Sequence, residues 1–322
     1  MAKRGRPPKT GQRLAPSEIV LAGVVARRYY LEERSKVQIA EELGLSRFQV
    51  TRILSRARAE GWIKIQIDLP GHIDDALSLA VQRDLGVRRA IVVDAPEASD
   101  AAVREELGAV IAGVLGELVQ PGQVLGLTWS RTIEAMVRQL RELPPCTVTQ
   151  LAGSVTVPGA TSGTVEIVRS VAALSGGEAL PIYAPLVVED AATAAALRRQ
   201  PEIARALDRA NSLDVAVVSV GSWAPDGSTV WHAVSGPERD AASARGAVAE
   251  CSGRLIDDAG RDVAGGFDDR VVALTMDQLR GTPEVIATIY GAHRAAAARA
   301  AVHADLVGTL IVDTALARAL LA

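Results

Sequence analysis

Residues 35–62, SKVQIAEELGLSRFQVTRILSRARAEGW, constrain this chain most, because they spell two short helices joined by a tight turn. Ser35 with Gln38, and Ser46 with Gln49, each form an S-x-x-Q capping box that satisfies donors at a helix start. Ile39, Ala40 and Leu43 give the first helix an apolar stripe, and Gly44 supplies the left-handed residue at its end. On the second helix Val50, Ile53, Leu54 and Ala57 recur at helical spacing on one face. The opposite face holds Phe48, Arg52, Ser55 and Ala59, flanked by Gln49, Thr51 and Arg56, with Arg47 at its start. Such a helix is equipped for a DNA major groove: Arg suits guanine edges, Gln suits adenine, and an apolar group suits the thymine methyl. Lys36, Gln38 and Ser46 complete the candidate DNA-contacting set. The alternative is an ordinary helical hairpin with a solvated basic face.

Charge is divided in the same sense. Residues 1–65 carry 14 Lys and Arg against six Glu, whereas the remainder carries 21 Arg and no Lys against 32 acids. A basic head on an acidic body fits capture of a polyanion by one end only, here double-stranded DNA. At the very start, residues 1–16 are basic and rich in Pro and Gly, a composition expected to be disordered alone. Within them Arg4-Gly5-Arg6-Pro7 resembles the core of an AT-hook, and Arg4 and Arg6 suit a narrow minor groove. A solvated charged tail explains the segment equally well.

Length sets the rest. A chain of 322 residues exceeds one helix-turn-helix module and leaves roughly 250 for a second domain. Residues 17–33 read as a supporting first helix with Ser17 as cap and Leu21, Val24 and Val25 facing inward. WIKIQIDLP (62–70) alternates and is expected to be the strand of a wing, and Pro70-Gly71 marks the boundary. The organisation expected is an arm at 1–16, a winged helix-turn-helix at 17–69, and a second, larger domain at 70–322.

Beyond residue 72 short apolar runs alternate with helical patterns: 90–95, 123–128, 147–153, 214–221, 270–275, 284–290 and 309–313. Amphipathic stretches such as 103–119 and 132–140 lie between them. The pattern predicts an α/β domain, a mainly parallel Rossmann-like sheet covered by helices. Ligands of such sheets bind at the carboxyl ends of strands. The loop 126–132 follows an apolar run and opens a helix, so its backbone N–H groups would converge on an anion. Thr128, Ser130 and Thr132 add hydroxyls and Arg131 a forked cation. A capped helix whose Arg131 touches a surface acid is the plain reading, and Trp129 either packs in the core or stacks on a ligand. Asp94, Asp257 and Asp313 at strand ends could hydrogen-bond ligand hydroxyls or simply cap helices.

Several chemistries find no support. The four histidines and the cysteines, Cys146 and Cys251, lack metal-site spacing, so neither a metal nor a cofactor is expected. No G-x-S-x-G or phosphate-binding loop of the P-loop kind occurs. Two cysteines in so long a chain suggest a reducing compartment, and no apolar run approaches the ~18 residues of a membrane span. A cytoplasmic protein without a membrane partner is expected.

The strand ends resemble the SorC family of sugar-responsive bacterial transcription regulators over nearly the whole chain. Residues 126–132, GLTWSRT, are similar to the family's G-x-x-W-G-R-T loop, with Ser130 in place of Gly. Residues 214–221 resemble its D-x-A-x-x-G-x-G strand ending in Gly221, with Ser219 for the first Gly. Residues 246–260 resemble its G-A-V-G-D-I run through Asp257, with Ala249 and Glu250 as departures, and 270–279 its R-x-I-G-x-x-L-E-Q-L segment beginning at Arg270. Tyr290-Gly291-Ala292-His293-Arg294 stands where the family often has G-G-x-x-K, and 310–313 matches its L-x-T-D end. The resemblance implies an effector domain related to glucosamine-phosphate and ribose-phosphate isomerases. It also implies dimers or tetramers held through the effector domains and a helical linker near 74–85. The effector set it suggests is Gly126, Thr128, Trp129, Ser130, Arg131, Thr132, Gly221, Asp257, Arg270 and Arg294, with Arg294 at the place of the phosphate-facing Lys. A solvated helix face is the other reading of Arg294.

Three functions compete: a regulator of a carbohydrate or polyol operon gated by a small sugar or sugar phosphate; a sugar-phosphate isomerase carrying a DNA-binding head; and a structural DNA-binding protein without ligand. The first, non-enzymatic reading is favoured. A lysine Schiff base is excluded from the second domain, which has no lysine.

Overall fold

The computed structural model describes residues 16–63, 72–95, 99–155 and 162–322. Contacts divide the chain into two compact units, Met1–Asp68 and Leu69–Ala322. The expected wing from residue 64 onward, the boundary at Pro70-Gly71 and the arm with Arg4 and Arg6 lie outside the described residues.

Among the described residues the first unit holds three helices, α1 (Pro16–Tyr30), α2 (Lys36–Leu43) and α3 (Arg47–Ala59). Val25, Ile39, Ala40, Val50 and Leu54 form its core. Both capping boxes form reciprocally: the Ser35 and Ser46 N–H groups donate to Gln38 and Gln49 Oε1 at 2.9 and 2.7 Å, and the hydroxyls accept in return. Gly44 closes α2 at φ 62°, a conformation a Cβ would strain. Among the described residues helix α1 spans Pro16–Tyr30, so Ser17 lies within it and does not cap it.

The second unit contains nine strands among the described residues. They are β1 (Arg89–Val93), β2 (Val124–Leu127), β3 (Thr147–Gln150), β4 (Ala179–Leu180), β5 (Val215–Ser222), β6 (Ala247–Cys251), β7 (Arg254–Asp257), β8 (Glu284–Thr288) and β9 (Thr309–Asp313). Seven form a parallel sheet in the order β1-β9-β8-β5-β2-β3-β4, and β6 and β7 extend from β5 as an antiparallel flap. The helices here are α4 (Asp75–Leu85), α5 (Asp100–Leu118), α6 (Arg131–Gln139), α7 (Thr164–Ser175) and α8 (Ala191–Arg198). They continue as α9 (Pro201–Arg209), α10 (Gly236–Ala244), α11 (Met276–Arg280), α12 (Ala295–His303) and α13 (Thr314–Leu320).

Side-chain alternation along the strands makes two cores. Ala90, Val92, Ala216, Val218, Leu310 and Val312 face one way, toward α4, α12 and α13. Val93, Leu125, Leu127, Val217 and Ile311 face the other, toward α5, α6 and α7. Burial on both faces explains why these strands read as continuous apolar runs. Helices α5 and α6 approach so closely that a Cβ on Gly108 would lie 2.6 Å from the Met136 backbone nitrogen.

One expected strand does not form. Residues 270–275 form no strand; Asp268–Arg270 is a 3-10 turn, and the run makes only isolated bridges at Val271 and Ala273. Its side chains serve three different clusters, Val271 and Ala273 in one, Val272 in a second and Leu274 in a third, so burial there does not require pairing. The turn between β6 and β7 uses positive φ at Ser252 and Gly253 (56° and 82°). Helix α4, at the place of the expected helical linker, packs on the second unit: Val81 is fully buried, and the Ser78 hydroxyl accepts a hydrogen bond from Val92 N–H at 2.8 Å.

Candidate functional site

Strand β2 lies beside β5, and from that pair the chain runs outward in opposite directions, to β3 and β4 on one side and to β8 and β9 on the other. Loops leaving two such strands diverge and leave a crevice at their carboxyl ends. A cavity of about 830 Å³ occupies it.

The loop after β2 supplies one wall. Buried Thr128 is tied to the sheet, its N–H donating to Val217 O at 3.2 Å. The Trp129 indole packs against the α5–α7 core and donates to Ser162 O at 2.9 Å, so the ring is anchored while its edge still lines the cavity. Ser130 caps α6 by accepting from Ile133 N–H at 3.1 Å. Arg131 and Thr132 open that helix at the cavity, where its dipole favours an anion. Gly126 lies within β2, away from the cavity; a Cβ there would meet Leu151 and Leu213 methyls at 2.6 and 2.8 Å.

Strand β5 and its flap supply the floor. A Cβ on Gly221 would come within 2.7 Å of Gly227 O and 3.3 Å of Glu250 Oε2, so only glycine lets the 225–232 segment close over β5. Glu250 is buried, accepts from the Ser228 hydroxyl at 2.8 Å and from Gly253 N–H at 2.6 Å, and burial pushes its carboxyl up from the ordinary range. Next to it, burial pushes the Cys251 thiol up to about 12, and both cysteines are free.

Cations complete the lining. Arg294 donates to Tyr290 O at 2.8 Å and to Asp226 O at 3.1 Å, with its guanidinium 4.9 Å from the Tyr290 ring. Arg104, from α5, donates to the Tyr290 hydroxyl at 2.9 Å. Arg104, Arg131 and Arg294 thus line a cavity whose lining carboxylates are Asp226 and Glu250.

The structure therefore brings Thr128, Trp129, Ser130, Arg131, Thr132, Gly221 and Arg294 together and leaves three expected residues elsewhere. Gly126 is one. Asp257 is another: it folds the turn after β7, and hydrogen bonds from Arg261 N–H and guanidinium hold its carboxyl below the usual range. Arg270 is the third; it ion-pairs with Glu238 and donates to Val188 O and Glu189 O at 3.0 and 3.2 Å. Asp313 caps α13 and accepts from Gly291 N–H, fixing the turn that carries Arg294. Sequence reasoning missed Arg104, Ser228 and the lining role of Glu250. Among the described residues no acid, His or Cys cluster could hold a metal, and no helix is long and apolar enough to cross a membrane.

On the first unit, Arg47, Phe48, Gln49, Thr51, Arg52 and Arg56 are all exposed, opposite buried Val50, Leu54 and Ala57. Five expected contact residues have local duties as well. Gln38, Ser46 and Gln49 spend side-chain oxygens on the capping boxes, leaving the two amide NH₂ groups for other partners. The Thr51 hydroxyl donates to Arg47 O at 3.1 Å, and Lys36 Nζ sits 5.4 Å from the Tyr29 ring.

Residues 73–322 match the family described as a sugar-binding domain. The chain is 25% identical to the deoxyribonucleoside regulator of Bacillus subtilis over 299 residues, 92% of this chain and 95% of that protein. It is 26% identical to the sorbitol operon regulator of Klebsiella pneumoniae over 316 residues, 94% and 98% of the two chains. The crystal structure of full-length SorC from Klebsiella pneumoniae shares the fold, with a TM-score of 0.72 at 22% identity over 94% of this chain and 99% of that one.

Proposed function

Because the chain belongs to the SorC family of sugar-binding transcription regulators, we propose that it reads an operator duplex through α3 and answers to a small phosphorylated sugar or polyol held in the β2/β5 crevice. The observation that carries the effector class is the meeting of the α6 N-terminus with Arg104, Arg131 and Arg294 in one cavity. Against these stand Asp226 and a Glu250 whose burial favours the neutral form, so the lining favours an anion. Hydroxyls of Thr128 and Ser228 and the Glu250 carboxyl are suited to sugar hydroxyls. In this reading Arg131 and Arg294 face the phosphate.

DNA recognition rests on Arg47, Phe48, Gln49, Thr51, Arg52 and Arg56, with Lys36 toward the phosphate backbone and Arg4 and Arg6 as an arm. A homodimer or homotetramer would present paired copies of α3 to a palindromic site about one turn apart. The effector changes operator affinity only through its different affinity for the two arrangements of the protein. The protein acts as a sensor and turns nothing over.

The test is a thermal-shift panel of sugars, polyols and their phosphates, followed by operator binding with each stabilising compound. A ligand that binds the native state stabilises it by mass action. A phosphorylated sugar that raises the melting temperature and changes operator affinity is the expected result. Stabilisation by unphosphorylated polyols alone would remove the phosphate from the reading, and turnover of the stabilising compound would replace the sensor by an enzyme.

A further inference from the structure

We infer that Phe48 makes this protein a reader of the pyrimidine C5-methyl group, so that one operator position is recognised by its methyl alone. The inference rests on the DNA-reading role proposed for α3. Phe48 is 87% exposed, the most exposed of the large apolar side chains among the described residues. It is the second residue of α3, and its neighbours on that surface, Arg47, Gln49, Thr51 and Arg52, are polar and exposed. Among the described residues the phenyl therefore belongs to no apolar patch of its unit, whose core there is Val25, Ile39, Ala40, Val50 and Leu54.

Helical side chains lean toward the N-terminus of their helix, so this ring projects from the end of α3 that meets base edges in helix-turn-helix docking. The Ser46–Gln49 capping box fixes the first turn before DNA arrives and engages the Gln49 side-chain oxygen at 2.7 Å, so that the Gln49 amide NH₂ is the group best placed to meet a base. A phenyl ring offers no hydrogen bond to a base edge. The one apolar group exposed in the major groove is the C5-methyl of thymine, and 5-methylcytosine presents the same group.

The probe is the duplex that the full-length protein selects from a random-sequence pool, resynthesised with deoxyuridine replacing thymidine one position at a time. We expect one position within the site to lose about three- to tenfold in affinity when only the methyl is removed, a difference of about 0.7–1.4 kcal/mol. At that position 5-methylcytosine opposite guanine should bind better than cytosine by the same factor. Phe48→Ala should bind the thymine and uracil duplexes equally, while Phe48→Leu keeps part of the preference. Because the ring is exposed, the Ala variant should melt with the parent, and a circular-dichroism melt checks this. Selection of a clear motif with no uracil effect at any position, or a uracil effect that survives in Phe48→Ala, overturns the inference and leaves α3 as the reading helix. Failure to select any motif overturns that reading as well.

Discussion

The Ser228 hydroxyl donates a 2.8 Å hydrogen bond to the buried Glu250 carboxyl, joining the segment that walls the cavity to the flap beneath it. With no cation against Glu250 among its hydrogen-bond partners, burial dominates and the folded protein holds its proton more tightly than the unfolded chain does.

The sign of the pH effect follows. Below the ordinary carboxylate range both states are protonated and the neutral Glu250 contributes its full stability. As pH rises through the elevated folded-state value, that contribution is lost, by about 1.4 kcal/mol for each tenfold difference in proton affinity. Wild type should therefore lose stability relative to Glu250→Gln between pH 4 and pH 8. Thermal melts of both proteins across that range check it, and parallel curves would place Glu250 in a solvated, ordinary environment.

Arg131 stands at the first position of α6 and on the cavity wall. Arg131→Ala should weaken a phosphorylated effector at least tenfold and remove its effect on operator binding at concentrations that saturate the parent. Calorimetric titration with the compound found in the thermal-shift panel measures the loss. A normal response would make Arg131 a structural residue.

Arg52 is exposed opposite the buried Leu54 and Ala57 side of α3. Arg52→Ala should cost roughly 1–3 kcal/mol on the selected operator and less on random DNA. Equal losses on both duplexes, measured at one salt concentration, would assign Arg52 to a phosphate.

Gly108→Ala would place a methyl 2.6 Å from the Met136 nitrogen and 2.8 Å from the Ala135 carbonyl carbon, both backbone atoms. Overpacking of this kind should destabilise the second unit by roughly 1–3 kcal/mol. The measurement is the urea midpoint at unchanged slope, and an unshifted midpoint would mean that α5 and α6 separate at little cost.

Much of this was legible in local sequence, and the exceptions have physical causes. The paired boxes at Ser35 and Ser46 read correctly because capping is local chemistry. Six of the seven apolar runs became parallel strands because burial on both faces removes alternation. The seventh, at 270–275, is as apolar as they are but reaches its burial in three clusters without a ladder, which composition does not distinguish. Residues 126–132 announced a helix-opening loop through spacing alone. Arg104 gave no such signal: it occupies an ordinary polar position of an amphipathic helix and acquires meaning only when β8 brings Tyr290 to it across 186 residues.

That separation also orders events in the life of the chain. The core of α1, α2 and α3 is drawn from residues 16–63, so these helices leave the ribosome before the second unit does. The crevice needs Arg104, the β2 loop, Glu250 and finally Arg294, so it exists only once nearly the whole chain has been made. In the reading proposed above, a nascent copy thus completes the helices meant for DNA well before the crevice meant for the effector, and a chain truncated ahead of Arg294 would carry the first without the second.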